Sequence, residues 1–406
     1  MLKKYFKIIF INLLVIVVSI ELVSMIYIKV TKPVIPDYQR IPTYLDIMTD
    51  GSISFNDILF GSGEKIQQDP LAPRNIDTSY TWCNWHPRNN VHREKFPCFD
   101  VLYKYNELGT RGTLPDPNDT STILFIGDSF VEGFGLEEDS TLPARIHQKI
   151  GRPVLNLGTS GHFSPTQMSL IYSAFAEKFR HKEVYVMFYL ENDLIENNID
   201  NHYKLFANRY RPYRVLTNDD SSNIVYKGSL DSTTYSWAHY KNETQKVFAY
   251  FPPNTSLLTK ISRLTYFKRC LNLLKMNAGK KSNPNEKPTE LNYTSKDLQI
   301  LEKDMLSIIQ VANTHHAKVT FVNLPSKNLF NYAGQSASNL SDYKTLETKL
   351  AAIAEKGEAR YISFYDYINS EKIKTEQLFF PCDFHYSNYG EAILSEFTIF
   401  KIKQNK

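Results

Sequence analysis

Thr122-Ile123-Leu124-Phe125-Ile126 is an apolar run with no alternating charged position. A strand with one face in water alternates apolar and polar residues. A run apolar throughout is buried on both faces, which is the situation of a strand in a parallel sheet covered by helices. The same signature returns at Val184–Leu190, and further strands are expected at Val154–Leu157, Lys318–Asn323 and Tyr361–Tyr365.

Helices fall between these strands. One is expected at about 140–150. Ser164, Pro165 and Gln167 then supply an N-cap, a proline at the first position and a capping-box partner. Met168, Ile171, Tyr172, Phe175 and Phe179 continue that helix at its own spacing. Leu298, Leu301, Met305, Ile308 and Ala312 mark another, a third spans 342–355 and stops at Gly357, and the last follows Ser387. Strand and helix in alternation predict an α/β fold: three layers, α/β/α, around a parallel sheet. Residues 119–406 form this domain, interrupted at about 198–292 by an insertion rich in Tyr, Asn and Lys with one amphipathic helix near 257–274. Residues 33–118 read as an irregular extension carrying a short strand near 100–105.

The N-terminus follows a different rule. Residues 8–28 are apolar but for Asn12, Ser19, Glu21 and Ser24, and as a helix they reach about 31 Å, enough to cross a bilayer core. Lys3, Lys4 and Lys7 precede the run, so the positive-inside bias leaves the N-terminus in the cytoplasm and the rest outside. A cleaved signal peptide would need a short apolar core followed by small residues at its cleavage site, and Val23-Ser24-Met25-Ile26-Tyr27 offers no such pattern. Residues 1–32 are therefore expected to be a cytoplasmic tip and an uncleaved single-pass transmembrane anchor. Lys3, Lys4, Lys7, Lys29 and Lys32, less Glu21, account for the whole net charge of +4. The folded part carries no basic surplus, which argues against nucleic acid as a partner.

In an open parallel sheet, reactive groups gather beyond the carboxyl ends of the strands. Gly127-Asp128-Ser129 follows the first strand, Asn156 to Gly161 covers the second, Glu191-Asn192-Asp193 follows the third, and Asp383-Phe384-His385 precedes the last helix. A serine, glycine-rich turns, an asparagine and an Asp/His pair on one rim are the inventory for acyl transfer through a serine ester. Ser129 lacks the second glycine of a Gly-x-Ser-x-Gly elbow, since Val131 stands there, which disfavours the α/β-hydrolase alternative.

These four blocks resemble those of the SGNH (GDSL-type) hydrolases, from Ser121 to the last helix with the insertion unmatched. The resemblance implies Ser129 as nucleophile, His385 as general base and Asp383 as its orienter. It implies an oxyanion hole made by the N–H groups of Ser129 and Gly161 and the side-chain amide of Asn192. Two positions depart from the pattern. Leu190-Glu191 stand where the family carries a glycine before the asparagine, so the approach to Asn192 is expected to be crowded. Asp383 lies two residues before His385 rather than three, a shorter spacing that resembles relatives acting on acyl groups of exopolysaccharides.

The expected activity is that of a membrane-anchored, extracytoplasmic ester hydrolase or O-acyltransferase, acting on ester-linked acyl groups, with acetyl leading, of a glycan or lipid. No metal or organic cofactor is called for. The rival is a non-catalytic surface protein of the same fold that binds glycan or assembly partners. In an oxidising compartment Cys83 with Cys98 is the favoured local disulfide and Cys270 with Cys382 follows by elimination. A zinc set of Cys83, His86, His92 and Cys98 is the alternative. Asp128 and Asp193 are expected to bond loop backbone, Tyr203, Phe206, Tyr210 and Tyr213 to pack, and His147, His162 and His202 are assigned no role.

Overall fold

The structure, a computed structural model, describes residues 2–31, 81–202, 210–228, 265–271, 293–330 and 340–404, except 84, 87, 97, 218–220, 269 and 382 within them. It divides into two units, Met1–Asp69 with His239–Asn285 and Pro70–Ala238 with Glu286–Lys406.

In the smaller unit, α1 (Leu2–Thr31) is a 30-residue helix. Its Glu21 carboxylate accepts the backbone N–H groups of Tyr266 (2.7 Å) and Phe267 (3.0 Å), and the Cys270 thiol donates to the Ser24 carbonyl at 3.5 Å. Among the described residues, which leave out the side chains of 1–10, no helix is long and apolar enough to cross a membrane. Of the helix expected near 257–274, only 265–271 lies within the described residues.

The larger unit opens with an antiparallel hairpin, β1 (Val91–Phe96) and β2 (Phe99–Lys104), where a single short strand was expected. Five parallel strands follow: β3 (Ile123–Gly127), β4 (Val154–Gly158), β5 (Glu183–Phe188), then β8 (Lys318–Asn323) and β9 (Arg360–Ser363). Between β5 and β8, β6 (Arg211–Leu216) and β7 (Ser222–Lys227) form a second hairpin inside the expected insertion. The sheet order is β4-β3-β5-β8-β9. The first strand of the sheet thus lies between the second and third, and the chain reverses its winding direction beside β3. In doubly wound sheets, that reversal opens a crevice at the carboxyl edge.

Alternation within each strand divides the core into two faces. Leu124 and Ile126 of β3, with Val184 and Val186 of β5, pack on α4 (Pro165–Ala176), α6 (Ser295–Thr314) and α7 (Leu340–Lys356). Ile123 and Phe125, with Tyr185 and Met187, pack on α2 (Ser129–Glu132), α3 (Leu142–Ile150), α8 (Phe364–Ser370) and α9 (Asn388–Lys403). The expected α/β architecture with a parallel sheet between helical layers is present. Helix starts follow local chemistry: Ser164 N–H donates to Gln167 at 3.2 Å, and Thr294 and Asp297 cap α6 reciprocally at 2.7 and 3.3 Å.

Three expectations are corrected. The apolar run from Val184 ends as a strand at Phe188, because the Asp193 carboxylate accepts the Tyr189 N–H at 2.8 Å and starts α5 (Leu190–Glu196). The last strand ends at Ser363, whose hydroxyl accepts the Asp366 N–H at 3.3 Å and begins α8. The cysteine pairs also differ. Cys98 is disulfide-bonded, whereas Cys83 and Cys270 are buried thiols, so neither Cys83–Cys98 nor Cys270–Cys382 forms; Cys382 lies outside the described residues. Gln167 holds the carbonyls of Trp82 (2.8 Å) and Cys83 (3.4 Å) against α4, and burial pushes the Cys83 thiol up to about 12. A Cys98 committed to a disulfide offers no thiolate to the zinc set.

One buried carboxyl ties the helical layer together. Glu391 of α9 accepts the Leu142 N–H at the start of α3 at 2.8 Å. Burial pushes its pKa from 4.5 up to about 8, against that N–H and the charges of Arg145 and Arg111. A raised carboxyl pKa means that the folded state holds a proton the unfolded chain releases, so stability falls as pH rises from 4.5 to about 8. Glu391→Gln removes this dependence. Its melting temperature is expected to exceed wild type by a margin that widens from pH 5 to pH 8 and then stays constant, measured by thermal denaturation across pH.

Candidate active site

β3 delivers Ser129 to the carboxyl edge. The Asp128 carboxylate accepts the Phe130 N–H at 3.0 Å and turns the chain into α2, whose first residue is Ser129. Gly158, ending β4, must be glycine for this turn to pack: a Cβ there would stand 2.1 Å from the Glu132 backbone nitrogen.

His385 arrives from the segment before α9. Its Nε2 lies 2.7 Å from Ser129 Oγ. Its Nδ1 is bonded to Asp383 Oδ1, which also accepts the His385 backbone N–H at 2.9 Å. This double contact is what the two-residue spacing achieves: one carboxylate oxygen holds both the backbone and the ring. A proton on Nδ1 facing Asp383 leaves Nε2 as the acceptor for the serine hydroxyl. Asp383 and His385 are both buried. The rings of Phe130, Phe134 and Phe384 surround the imidazole at centroid distances of 4.9, 4.4 and 4.2 Å and exclude water from it.

Asn192 lies in the first turn of α5 rather than in a loop, and its Nδ2 donates to Asp128 Oδ2 at 3.2 Å. The expected crowding does not arise from Glu191, whose carboxylate is turned to Ser326 and to Asn328 (3.1 Å) on the loop after β8. Gly161 follows β4 with φ +87°, a left-handed conformation open to glycine. Its loop is tied to α2, because the Ser160 N–H donates to Glu132 Oε2. Ser129, His385 and Asp383 thus form one hydrogen-bonded line, Asn192 is bonded to Asp128, the residue before Ser129, and Gly161 stands on the adjoining loop.

The carboxylates behind this line differ in charge state. Burial pushes Asp128 up to about 6, opposed by the Phe130 N–H, His385 and Asn192. Asp193 is raised well above the usual range by burial and by the charges of Asp128 and Glu196. Glu132 goes the other way. Burial acts to raise it, but His86 (3.2 Å), the Ser160 N–H and the Tyr105 hydroxyl (2.6 Å) together hold it well below the usual carboxylate range.

Sequence reasoning missed Glu132, Tyr105 and Glu196, and named His86 only as a zinc ligand. A helical signal was there for two of them: Glu132 is three residues after Ser129 and Glu196 four after Asn192, spacings that put each on the face of its named partner. His86 and Tyr105 carried no such signal, because only the packing of the extension brings them to Glu132. Comparison with protein-family models and with curated proteins finds no match for the chain.

Glu132→Ala is expected to lower stability by about 3 kcal/mol, since it leaves the Tyr105 hydroxyl and Ser160 N–H buried without their acceptor. Urea denaturation measures this. Because a lowered carboxylate pKa adds stability only above its ordinary value of 4.5, the deficit is expected to shrink as pH falls below that point.

Proposed function

We propose that this chain is a serine-dependent ester hydrolase or O-acyltransferase of the SGNH type. It acts on ester-linked acyl groups, foremost acetyl groups, of extracytoplasmic glycans or lipids. The observation that carries the reading is the line Ser129–His385–Asp383, with 2.7 Å between the serine oxygen and the imidazole nitrogen. The sheet order, that of flavodoxin-like doubly wound folds, supports it by opening its crevice where Ser129 stands.

The chemistry follows from the roles. His385 Nε2 takes the Ser129 proton as Oγ attacks the ester carbonyl. Asp383 holds the imidazole in the productive tautomer and stabilises the imidazolium that forms. The N–H groups of Ser129 and Gly161 and the Asn192 amide receive the oxyanion. Collapse of the tetrahedral species breaks the ester bond, and the imidazolium gives its proton to the departing alcohol. A water or sugar hydroxyl then loses its proton to His385 as it attacks the acyl-serine, and Ser129 is released.

α1 supports anchoring in a membrane. Val15, Ile16, Val17 and Val18 are consecutive, so they face all round the helix, and all four are exposed. A helix stretch with apolar residues exposed on every side is suited to lipid. The basic residues before it support an orientation with the larger unit outside the cytoplasm.

The test is labelling with a serine-directed fluorophosphonate and an acyl-ester substrate panel on the full chain in detergent. Wild type is expected to label and Ser129→Ala and His385→Ala to fail, with ester turnover lost by a factor of 10³ or more, roughly the scale of losing a triad member. Asn192→Ala is expected to lower kcat about 10²-fold. Equal labelling of wild type and Ser129→Ala leaves the non-catalytic, glycan-binding alternative.

A further inference from the structure

Besides the N–H of Ser129 itself, the oxyanion donors come from two separate segments, the loop carrying Gly161 and the helix carrying Asn192. Their separation must match one oxygen atom, so something must fix one segment to the other. A second histidine–carboxylate pair lies between them. His162 Nδ1 is 2.6 Å from Glu196 Oε1. His162 is the residue after Gly161, and Glu196 is one helical turn beyond Asn192 on α5.

The conformation of the loop calls for such a tie. His162 has φ +70°, directly after Gly161 at +87°. A residue with a side chain holds a left-handed conformation only where its surroundings over-determine it, and such residues concentrate at functional sites. On its other side, the loop is held by the Ser160 N–H on Glu132. Glu132 belongs to the helix of Ser129 and Glu196 to the helix of Asn192, so the loop is pinned between both.

Glu196 is also placed at a cost to stability. Its side chain is 4% exposed, whereas that of His162 is 43% exposed, and among the described residues Glu196 Oε2 has no hydrogen-bond partner. A buried carboxylate with one partner adds little to stability, and an apolar side chain of similar size is often as stable or more so. Residues that break a local rule in this way concentrate where function needs them.

We propose that His162 and Glu196 are positioning residues that hold the Gly161 N–H and the Asn192 amide at the spacing of a single oxyanion. The inference rests on the esterase reading for what the held groups do. A clamp on the oxyanion site acts on the transition state and leaves substrate binding nearly unchanged, so it moves kcat and not KM.

The test is p-nitrophenyl acetate hydrolysis by the full chain in detergent, with thermal melting of each variant. Glu196→Leu and His162→Asn are expected to lower kcat tenfold or more with KM within threefold. Asn tolerates the left-handed backbone but is too short for the same contact. Glu196→Gln, which keeps an acceptor for the ring, is expected to recover most of the loss. Combining Glu196→Leu with Asn192→Ala is expected to cost clearly less than the sum of the two single losses, because part of the clamp's effect passes through that amide. Full kcat in His162→Asn overturns the clamp even if Glu196→Leu fails to fold, as does a loss confined to KM or one fully additive with Asn192→Ala. A wild type that neither hydrolyses the ester nor labels at Ser129 overturns the esterase reading and the clamp with it. An active wild type with unaffected variants overturns the clamp alone.

Discussion

A hydrogen bond between Ser129 and His385 joins residues 256 positions apart. Closing a loop of that length is entropically unfavourable, and one contact of this kind cannot offset it. The fold must close the loop for other reasons, and the sheet does. β3 is enclosed by β4 and β5 and buried on both faces, so the residue leaving its carboxyl end has one place to go. α9 packs on the same helical layer as α2 and α3, and Glu391 joins its first turn to α3. With both helices docked, Ser129 and His385 face each other with little freedom left to lose.

The site is assembled from the sheet outward. Beyond the serine–histidine contact stand four carboxyl side chains with distinct tasks: Asp383 on the imidazole, Asp128 on Asn192, Glu132 on the Ser160 N–H and Glu196 on His162. Each reaches a segment other than its own or fixes the ring next to it. Buried carboxyl groups are an expensive way to join segments, and their pKa values diverge accordingly, Asp128 rising to about 6 while Glu132 falls below the usual range. Asp128 and Glu132 each have two hydrogen-bond donors and a nearby histidine. Glu132 contacts its histidine, His86, directly at 3.2 Å, whereas burial dominates at Asp128 and Glu196 adds to the rise. Asp193, bonded to the Tyr189 N–H and repelled by Asp128 and Glu196, is raised further.

The parallel sheet was legible because burial on both faces leaves mostly apolar segments between helical patterns, and β3, β4 and β8 fall where strands were read. Ser129 stood out in a short motif at a strand end and Asp383 and His385 in one before the last helix, and the structure brings the three into hydrogen-bond contact. What was not legible depended on side chains reaching across the fold. Val184–Leu190 looks like one strand until Asp193 caps its last residues into a helix. Cys83 and Cys98 look paired by proximity in sequence, until Gln167 is seen to hold the Cys83 backbone against α4. Arg214, from the expected insertion, bonds Asp304 of α6 at 2.6 Å, so that part of the insertion belongs to the larger unit's own packing.

The extension before β3 has a role that its irregular sequence conceals. Tyr105 and His86 stack at 4.2 Å and both reach Glu132, and the Tyr103 hydroxyl accepts the Gly135 N–H at 2.7 Å. Arg111, buried over the Tyr103 ring, donates to the carbonyls of Glu132 (3.0 Å) and Gly133 (2.8 Å) at the end of the serine helix. α2 is only four residues long and cannot hold itself by internal hydrogen bonds. Its exposed carbonyls are satisfied by a guanidinium from the extension, placed where the helix dipole favours a cation. A helix too short to be stable alone is thus held by Tyr103, Tyr105, His86 and Arg111 of the extension, and the position of Ser129 depends on both.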